Sequence, residues 1–195
     1  MGSQFAEIAR TITQAAAIES TWMARRAGQA ADRQNTGWMP FQLFTFFSLL
    51  AEAVPMIPEP APDVAPRFLG VGAGPGSKEL LARDVFGMDV SGIEIDDEMA
   101  SSARQSGLQV HTADAAAWNG YGKAEAVWLN RPKRDPADEL ALERKVMAEM
   151  APGTVLLCAN LETRPPESWF IVLDAWDSER YGAWAKPAAA SEGWA

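Results

Sequence analysis

The sequence predicts an α/β fold: a doubly wound, mostly parallel sheet with a C-terminal antiparallel hairpin, plus an N-terminal helical cap. Three observations lead to this prediction. From Arg67 onward, short apolar runs alternate with helical segments, which is typical of right-handed βαβ units. Five prolines between residues 55 and 66 separate this part from a helical N-terminal portion. Near the C-terminus, two strand-like runs are joined by a short polar turn, as in a hairpin at a sheet edge.

The N-terminal portion is predicted to form two helices, over residues 3–27 and 41–53. In the first, apolar side chains recur every three or four residues and are expected to share one face: Phe5, Ile8, Ile12, Ala16 and Trp22/Met23. Four aromatic residues lie in or just before the second helix: Trp38, Phe41, Phe44 and Phe47. They form either a lid over a pocket or the packing surface of the helix on the sheet, and packing is favoured. The predicted division is a cap at 1–54, a proline-rich linker at 55–66 and a Rossmann-like domain at 67–195.

Strands and helices of the second part follow from apolar runs and capping residues. Five buried strands are expected at 67–71, 89–95, 108–112, 124–130 and 154–159. Asp96 and Asp135 precede helical segments as N-caps, and Pro136 suits the first position of the second of these helices. Gly107 is a natural left-handed stop for the first. The hairpin is expected at 169–175 and 181–186.

Composition excludes several kinds of site. A single histidine, His111, and a single cysteine, Cys158, cannot build a Cys/His zinc site or an internal disulfide. His111 is predicted to be structural and Cys158 to be a small buried residue. The net charge of −9 argues against binding to nucleic acid. No secretory signal is visible, and the most apolar stretch is too short to span a bilayer, so the prediction is a cytoplasmic protein without a membrane partner.

Three features point to a ligand at the carboxyl ends of the strands. A turn with glycines at positions 70, 72, 74 and 76 follows the first predicted strand and precedes a helix, so it permits close approach of a polar ligand. Glu94 ends the second strand about 20 residues further on, where a carboxylate can accept hydrogen bonds from both hydroxyls of a ribose. Asp114 follows the third strand and either meets an adenine amine or simply caps the next short helix.

With these features, the sequence resembles the class I S-adenosylmethionine-dependent methyltransferases. The matching segments are VGAGPG at 71–76, GIEIDDEMASSAR at 92–104, TADAAAW at 112–118 and AVWLNRP at 126–132. The resemblance implies S-adenosylmethionine as cofactor, with the glycines under its methionine end, Glu94 on the ribose, Ile95 against the adenine, and Asp114 and Ala115 near the adenine amine. The predicted cofactor-binding set is Gly70, Gly72, Ala73, Gly74, Gly76, Glu94, Ile95, Asp114 and Ala115, with no metal ligand.

The resemblance also implies where a substrate lies and where this chain departs from the family. Asn130, at the end of the fourth strand, is the predicted substrate-positioning residue. The family's acidic residue two positions before the first motif glycine is replaced here by Gly70. The basic cluster of Arg131, Lys133 and Arg134 either attracts an acidic substrate or is a solvated loop, and the solvated loop is favoured.

The predicted function is direct methyl transfer to a small molecule, for which an acidic molecule is one option, and a homodimer is left open. Two other classes remain as alternatives. The first is a non-catalytic module that binds the cofactor or a protein partner, which is motivated by the absence of an acid at Gly70 and of an obvious base. An aminopropyl transferase or a nicotinamide-dependent enzyme would use the same type of sheet.

Overall fold

A computed structural model describes residues 2–27, 42–133, 135–175 and 180–188. The helices are α1 (Gly2–Ala27), α2 (Leu43–Ala53), α3 (Ser77–Asp84), α4 (Asp97–Gln105) and α5 (Pro136–Glu149). The strands are β1 (Arg67–Val71), β2 (Asp89–Glu94), β3 (Gln109–Thr112), β4 (Ala126–Asn130), β5 (Val155–Ala159), β6 (Phe170–Asp174) and β7 (Tyr181–Ala185). Short 3-10 turns occupy Val54–Met56, Ala115–Ala117 and Tyr121–Lys123.

The strands form one seven-stranded sheet in the order β3-β2-β1-β4-β5-β7-β6. The first five strands are parallel to one another, whereas β7 is antiparallel to both β5 and β6. The predicted fold class is therefore confirmed, including the C-terminal hairpin, whose turn residues 176–179 lie outside the described residues. The strand order reverses between β1 and β4, and ligands of open α/β sheets bind at such a switch point.

Local signals in the sequence fix the ends of several elements. Asp96 caps α4 by accepting hydrogen bonds from the amides of Glu98 and Met99, and Asp135 caps α5 in the same way. Gly107 has a φ of 76°, the left-handed conformation expected after α4. Because these caps depend on residues close in the chain, the sequence was sufficient to predict them.

The sheet is covered on both faces. On one face, α2 inserts Phe46 edge-on against Phe68 and Trp128, with ring centroids 6.2 and 5.0 Å apart. This face also receives α3 and α4, and α1 reaches the same core through Ala15. The other face receives α5. Among the aromatic residues expected to pack, Phe47 contacts Phe86, but Phe44 is 78% exposed, so the packing prediction is wrong for Phe44. The helix packs on the sheet through Phe46 instead. Trp38 and Phe41 lie outside the described residues.

The predicted buried face of α1 is confirmed only at Trp22, which is 4% exposed. Phe5 is 76% exposed and Met23 51% exposed, and the other described buried residues of the helix are Thr11, Ala15 and Glu19. The reason is that α1 packs on α3 through the buried ion pair of Glu19 with Lys78, and this contact turns the most apolar side chains of α1 away from the core. Among the described residues, no helix has the length and apolarity needed to cross a membrane.

Candidate functional site

The glycine turn lies at the switch point, directly after β1. The amides of Gly72 and Ala73 both donate to the carbonyl of Ile93 on β2, each at 2.9 Å, so the turn is held against the neighbouring strand. Gly72, Gly74 and Gly76 have φ values of 73°, 58° and 87°, a region that favours glycine. A Cβ on Gly72 would lie 2.9 Å from the Cβ of Pro132, after β4. The turn therefore needs glycine both for its conformation and for its contact with the β4 segment.

Glu94 connects the end of β2 to this turn. Its Oε2 accepts from the Gly74 amide at 2.7 Å, and its Oε1 accepts from the Asp96 amide at 2.9 Å. Burial raises the pKa of Glu94, and these two amides oppose that effect. The side chain is 8% exposed, and the adjacent Ile95 is 40% exposed. Two residues of the predicted site, far apart in the chain, are thus in direct contact, with an exposed apolar side chain beside them.

Asp114 has the helix-capping role that the sequence left open. It accepts from the Ala116 amide at 2.9 Å and also from the Lys133 ammonium at 2.5 Å. The hydrogen bond from Lys133 lowers the pKa of Asp114, so the carboxylate is ionised over a wide pH range. Ala115, next in the chain, is buried. The ion pair links the segments after β3 and β4.

Asn130 ends β4 within a network that includes the end of β5. Its Oδ1 accepts from the Asn160 side-chain amide at 3.0 Å. Arg131 and Asn160 have φ values of 38° and 57°, unusual for residues other than glycine. Arg131 pairs with Glu162 at 3.0 Å. Since Arg131 and Lys133 are partly buried and paired, the favoured interpretation of this basic cluster as a solvated loop is wrong for its described members; Arg134 lies outside the described residues.

A pair of buried glutamates on α5 holds both of these segments. Glu139 accepts from the Lys133 amide at 2.6 Å, and Glu143 accepts from the amides of Glu162 and Thr163 at 2.6 and 2.8 Å. Both side chains are fully buried. Burial is the largest cause that raises both pKa values, that of Glu139 to about 8. Sequence reasoning missed this pair, although its i, i+4 spacing on the same side as Leu142 gave a signal.

A second buried polar cluster joins α1 to the start of α3. Lys78 forms an ion pair with Glu19, and the Ser77 hydroxyl donates to the same carboxylate oxygen at 2.7 Å. All three side chains are buried. Sequence reasoning missed this contact because nothing local indicates that a glutamate in α1 meets a lysine so far along the chain.

The single histidine and the single cysteine lie outside the glycine turn and the ends of β2 and β4. His111 is exposed and packs against Trp118, with ring centroids 5.0 Å apart, while Cys158 is fully buried in β5. Within the described ranges, no group of three or more His, Cys, Asp or Glu side chains is arranged to hold a metal ion.

Known proteins resemble this chain in part of its sequence and in its fold. No protein-family model matches the chain. Over 89 residues it is 33% identical to trans-aconitate 2-methyltransferase from Agrobacterium fabrum (strain C58 / ATCC 33970), and the match covers 44% of this chain and 35% of that relative's length. The RNA methyltransferase of Salinibacter ruber, solved in complex with S-adenosyl-L-homocysteine, superposes with a TM-score of 0.55 at 18% identity, over 80% of this chain and 98% of that one.

The Escherichia coli protein yhhF, whose description as a methyltransferase is provisional, superposes with a TM-score of 0.60 at 17% identity, over 80% of this chain and 91% of its own. The chain has a Rossmann-like methyltransferase fold. In this methyltransferase fold, the glycine turn and Glu94 occupy the carboxyl ends of adjacent strands, where open α/β sheets bind their ligands.

Proposed function

We propose that the protein is an S-adenosylmethionine-dependent methyltransferase that acts on a small, acidic molecule. The observation that carries the proposal is the direct contact between Glu94 and the glycine turn. Two segments that match the family's motifs meet there by a hydrogen bond between positions 20 residues apart. The match to a curated methyltransferase over 89 residues supports the same conclusion.

The residues present fit the cofactor. Gly72 has no side chain, and a Cβ there would lie 2.9 Å from the Cβ of Pro132, so the turn presents bare backbone to the cofactor; Glu94 offers a buried carboxylate to the two ribose hydroxyls. Ile95 offers an exposed apolar surface to the adenine, and Asp114 offers an ionised carboxylate to the adenine amine. When bound, S-adenosylmethionine supplies an activated methyl group on a sulfonium ion.

An acidic substrate is favoured by the charge around the end of β4. The chain carries a net charge of −9, yet Arg131 and Lys133 follow Asn130 in the chain, each in an ion pair, with Glu162 and Asp114 respectively. The matched relative is named for trans-aconitate, a carboxylate. We infer that Lys133 exchanges its contact with Asp114 for a substrate carboxylate, while Asn130 orients the substrate by hydrogen bonding. A carboxylate oxygen is already deprotonated, so its methylation requires no general base, and alignment of the reactants is the main task left to the protein.

The organisation of the chain belongs to the same proposal. A helical cap at 1–54 and a linker at 55–66 precede the cofactor-binding domain at 67–195. The proposed setting is the cytoplasm, and the proposed substrate is a small molecule rather than nucleic acid.

A methyl-transfer assay with a substrate panel tests this function. S-adenosylmethionine with a labelled methyl group is incubated with the full chain and small di- and tricarboxylic acids, with the corresponding amides as controls. We expect label transfer to acids only, with Lys133→Met raising the KM for the acid by about tenfold because one charge-assisted contact is lost. Lys123→Met, a lysine outside the site, is the matched control. Cofactor binding without transfer to any acid or amide would favour the non-catalytic module.

A further inference from the structure

Glu79 is a buried carboxylate without a hydrogen-bonding role in the described parts of the chain. It is the third residue of α3 and is 1% exposed. Neither of its carboxylate oxygens has a hydrogen-bond partner among the described residues. Burial of an unpaired carboxylate is strongly unfavourable, so such a group in a folded protein requires an explanation.

Glu79 does not form the hydrogen bond that a glutamate at the third position of a helix usually forms. A glutamate three residues after the N-cap commonly reaches back to accept from the N-cap amide. Here the N-cap is Gly76, and its amide instead donates to the carbonyl of Ala73 at 3.1 Å. The neighbouring Lys78 forms its ion pair with Glu19 rather than with Glu79. Helix capping and pairing with its neighbour therefore do not account for Glu79.

Gly70 leaves the space that Glu79 fills. A Cβ on Gly70 would lie 2.8 Å from the Glu79 Cδ and 3.4 Å from its Cγ, and it would overlap the Oε1. Gly70 is two residues before Gly72, the position at which the resembling methyltransferases carry an acidic residue. A carboxylate from α3 thus lies where a side chain at position 70 would project, beside the glycine turn.

We propose that Glu79 supplies, from α3, the carboxylate that receives the α-ammonium group of the cofactor's methionine end, in place of an acidic side chain at position 70. This inference rests on the proposed function. On this view the carboxylate is not lost from the site at Gly70 but is carried by Glu79, because the absence of a side chain at Gly70 leaves room for the Glu79 side chain.

The surroundings of Glu79 fit a carboxylate that a bound cation would ionise. Burial raises its pKa to about 7, and the charged groups that face it are Lys78 on its own helix, Glu94 on β2 and Glu19 on α1. An ammonium ion beside the carboxylate would lower this pKa again. Binding of an amino-acid-bearing ligand near pH 7 should therefore release a proton, which is measured as a dependence of the binding heat on the buffer's ionisation enthalpy.

Two ligands separate the ammonium contact from all other contacts. S-adenosyl-L-homocysteine carries the α-ammonium group, whereas 5′-methylthioadenosine has the same nucleoside and sulfur without it. We expect Glu79→Gln to weaken S-adenosyl-L-homocysteine by at least about tenfold in calorimetric titration, because a hydrogen-bonded ion pair is lost. Its affinity for 5′-methylthioadenosine should be unchanged, and the proton release should disappear. The matched control is Glu98→Gln, an exposed glutamate in the first turn of α4.

The outcomes distinguish this inference from the proposed function. An equal loss for both ligands, or no loss for either, would overturn the role of Glu79, while a wild-type chain that binds neither ligand would overturn the proposed function itself. Above about pH 7, where Glu79 is ionised, the Tm of Glu79→Gln should be equal to or higher than that of the wild type, since a buried unpaired charge is removed. Gly70→Asp combined with Glu79→Ala should bind S-adenosyl-L-homocysteine more tightly than Glu79→Ala alone; a folded double variant without that gain would contradict the relocation.

Discussion

Replacement of Glu19 by alanine should destabilise the protein far more than its place on an N-terminal helix suggests. Glu19 is 8% exposed and Lys78 is 5% exposed, so the substitution leaves a buried ammonium without its counter-ion. Removal of one partner of a buried ion pair typically costs about 3–5 kcal/mol. A second way to obtain this cost is to count the two hydrogen bonds lost, from Lys78 and Ser77. At about 1.5–3 kcal/mol each, their loss lowers the free energy of unfolding by about 3–6 kcal/mol. For a chain of this size the Tm should fall by roughly 6–20 °C.

Urea unfolding monitored by circular dichroism measures this cost. Glu7→Ala is the matched control, because Glu7 lies on the same helix and pairs with Arg10 at 3.4 Å with both side chains largely exposed; it should cost about 1 kcal/mol at most. Combining Glu19→Leu with Lys78→Met should recover most of the loss, since an apolar pair of similar size needs no counter-ion. A Glu19→Ala variant that loses no more stability than Glu7→Ala would refute the role given to this cluster.

Two further substitutions test the glycine turn and the glutamates of α5. Gly72→Ala should lower both the Tm and the affinity for S-adenosyl-L-homocysteine. The left-handed φ costs about 1–2 kcal/mol for alanine, and the new Cβ would lie 2.9 Å from that of Pro132. The control is Gly87→Ala, which has a φ of 69° and open space around its Cβ, and it should lower only the Tm. Glu139 has a pKa raised to about 8, so the folded state binds more protons than the unfolded state above about pH 4.5 and wild-type stability falls as the pH rises towards 8. The stability of Glu139→Gln relative to wild type should therefore increase between pH 6 and pH 8 in urea unfolding, and a constant difference would contradict the raised pKa.

The sheet, the helix caps and the meeting of Glu94 with the glycine turn at the carboxyl ends of the strands could be predicted from the sequence. Strand runs, caps such as Asp96 and the turn at Gly72 are determined by residues close together in the chain. Glu94 could be placed beside the turn because its distance from the turn along the chain corresponds to one βαβ unit. These features depend on short-range spacing, which a sequence displays directly.

Contacts between distant side chains could not be predicted in this way. The prediction of which face of α1 is buried is largely wrong, because the contact from Glu19 to Lys78, 59 residues away, turns the helix away from the face that its apolar periodicity indicates. Gly70 seemed to remove a carboxylate, and only the packing of α3 shows that Glu79 fills its place. The orientation of a helix on a sheet thus depends on pairings that hydrophobic pattern alone does not encode.

Titration of the full chain with S-adenosyl-L-homocysteine tests the proposed function most directly. We predict one ligand bound per chain, no binding of NAD, and a loss of at least about tenfold in affinity for Glu94→Gln, because hydrogen bonds from the ribose to a charged acceptor are weakened. Glu98→Gln should bind like the wild type. A folded wild-type chain that gives no heat with either S-adenosylmethionine or S-adenosyl-L-homocysteine would contradict the proposed function.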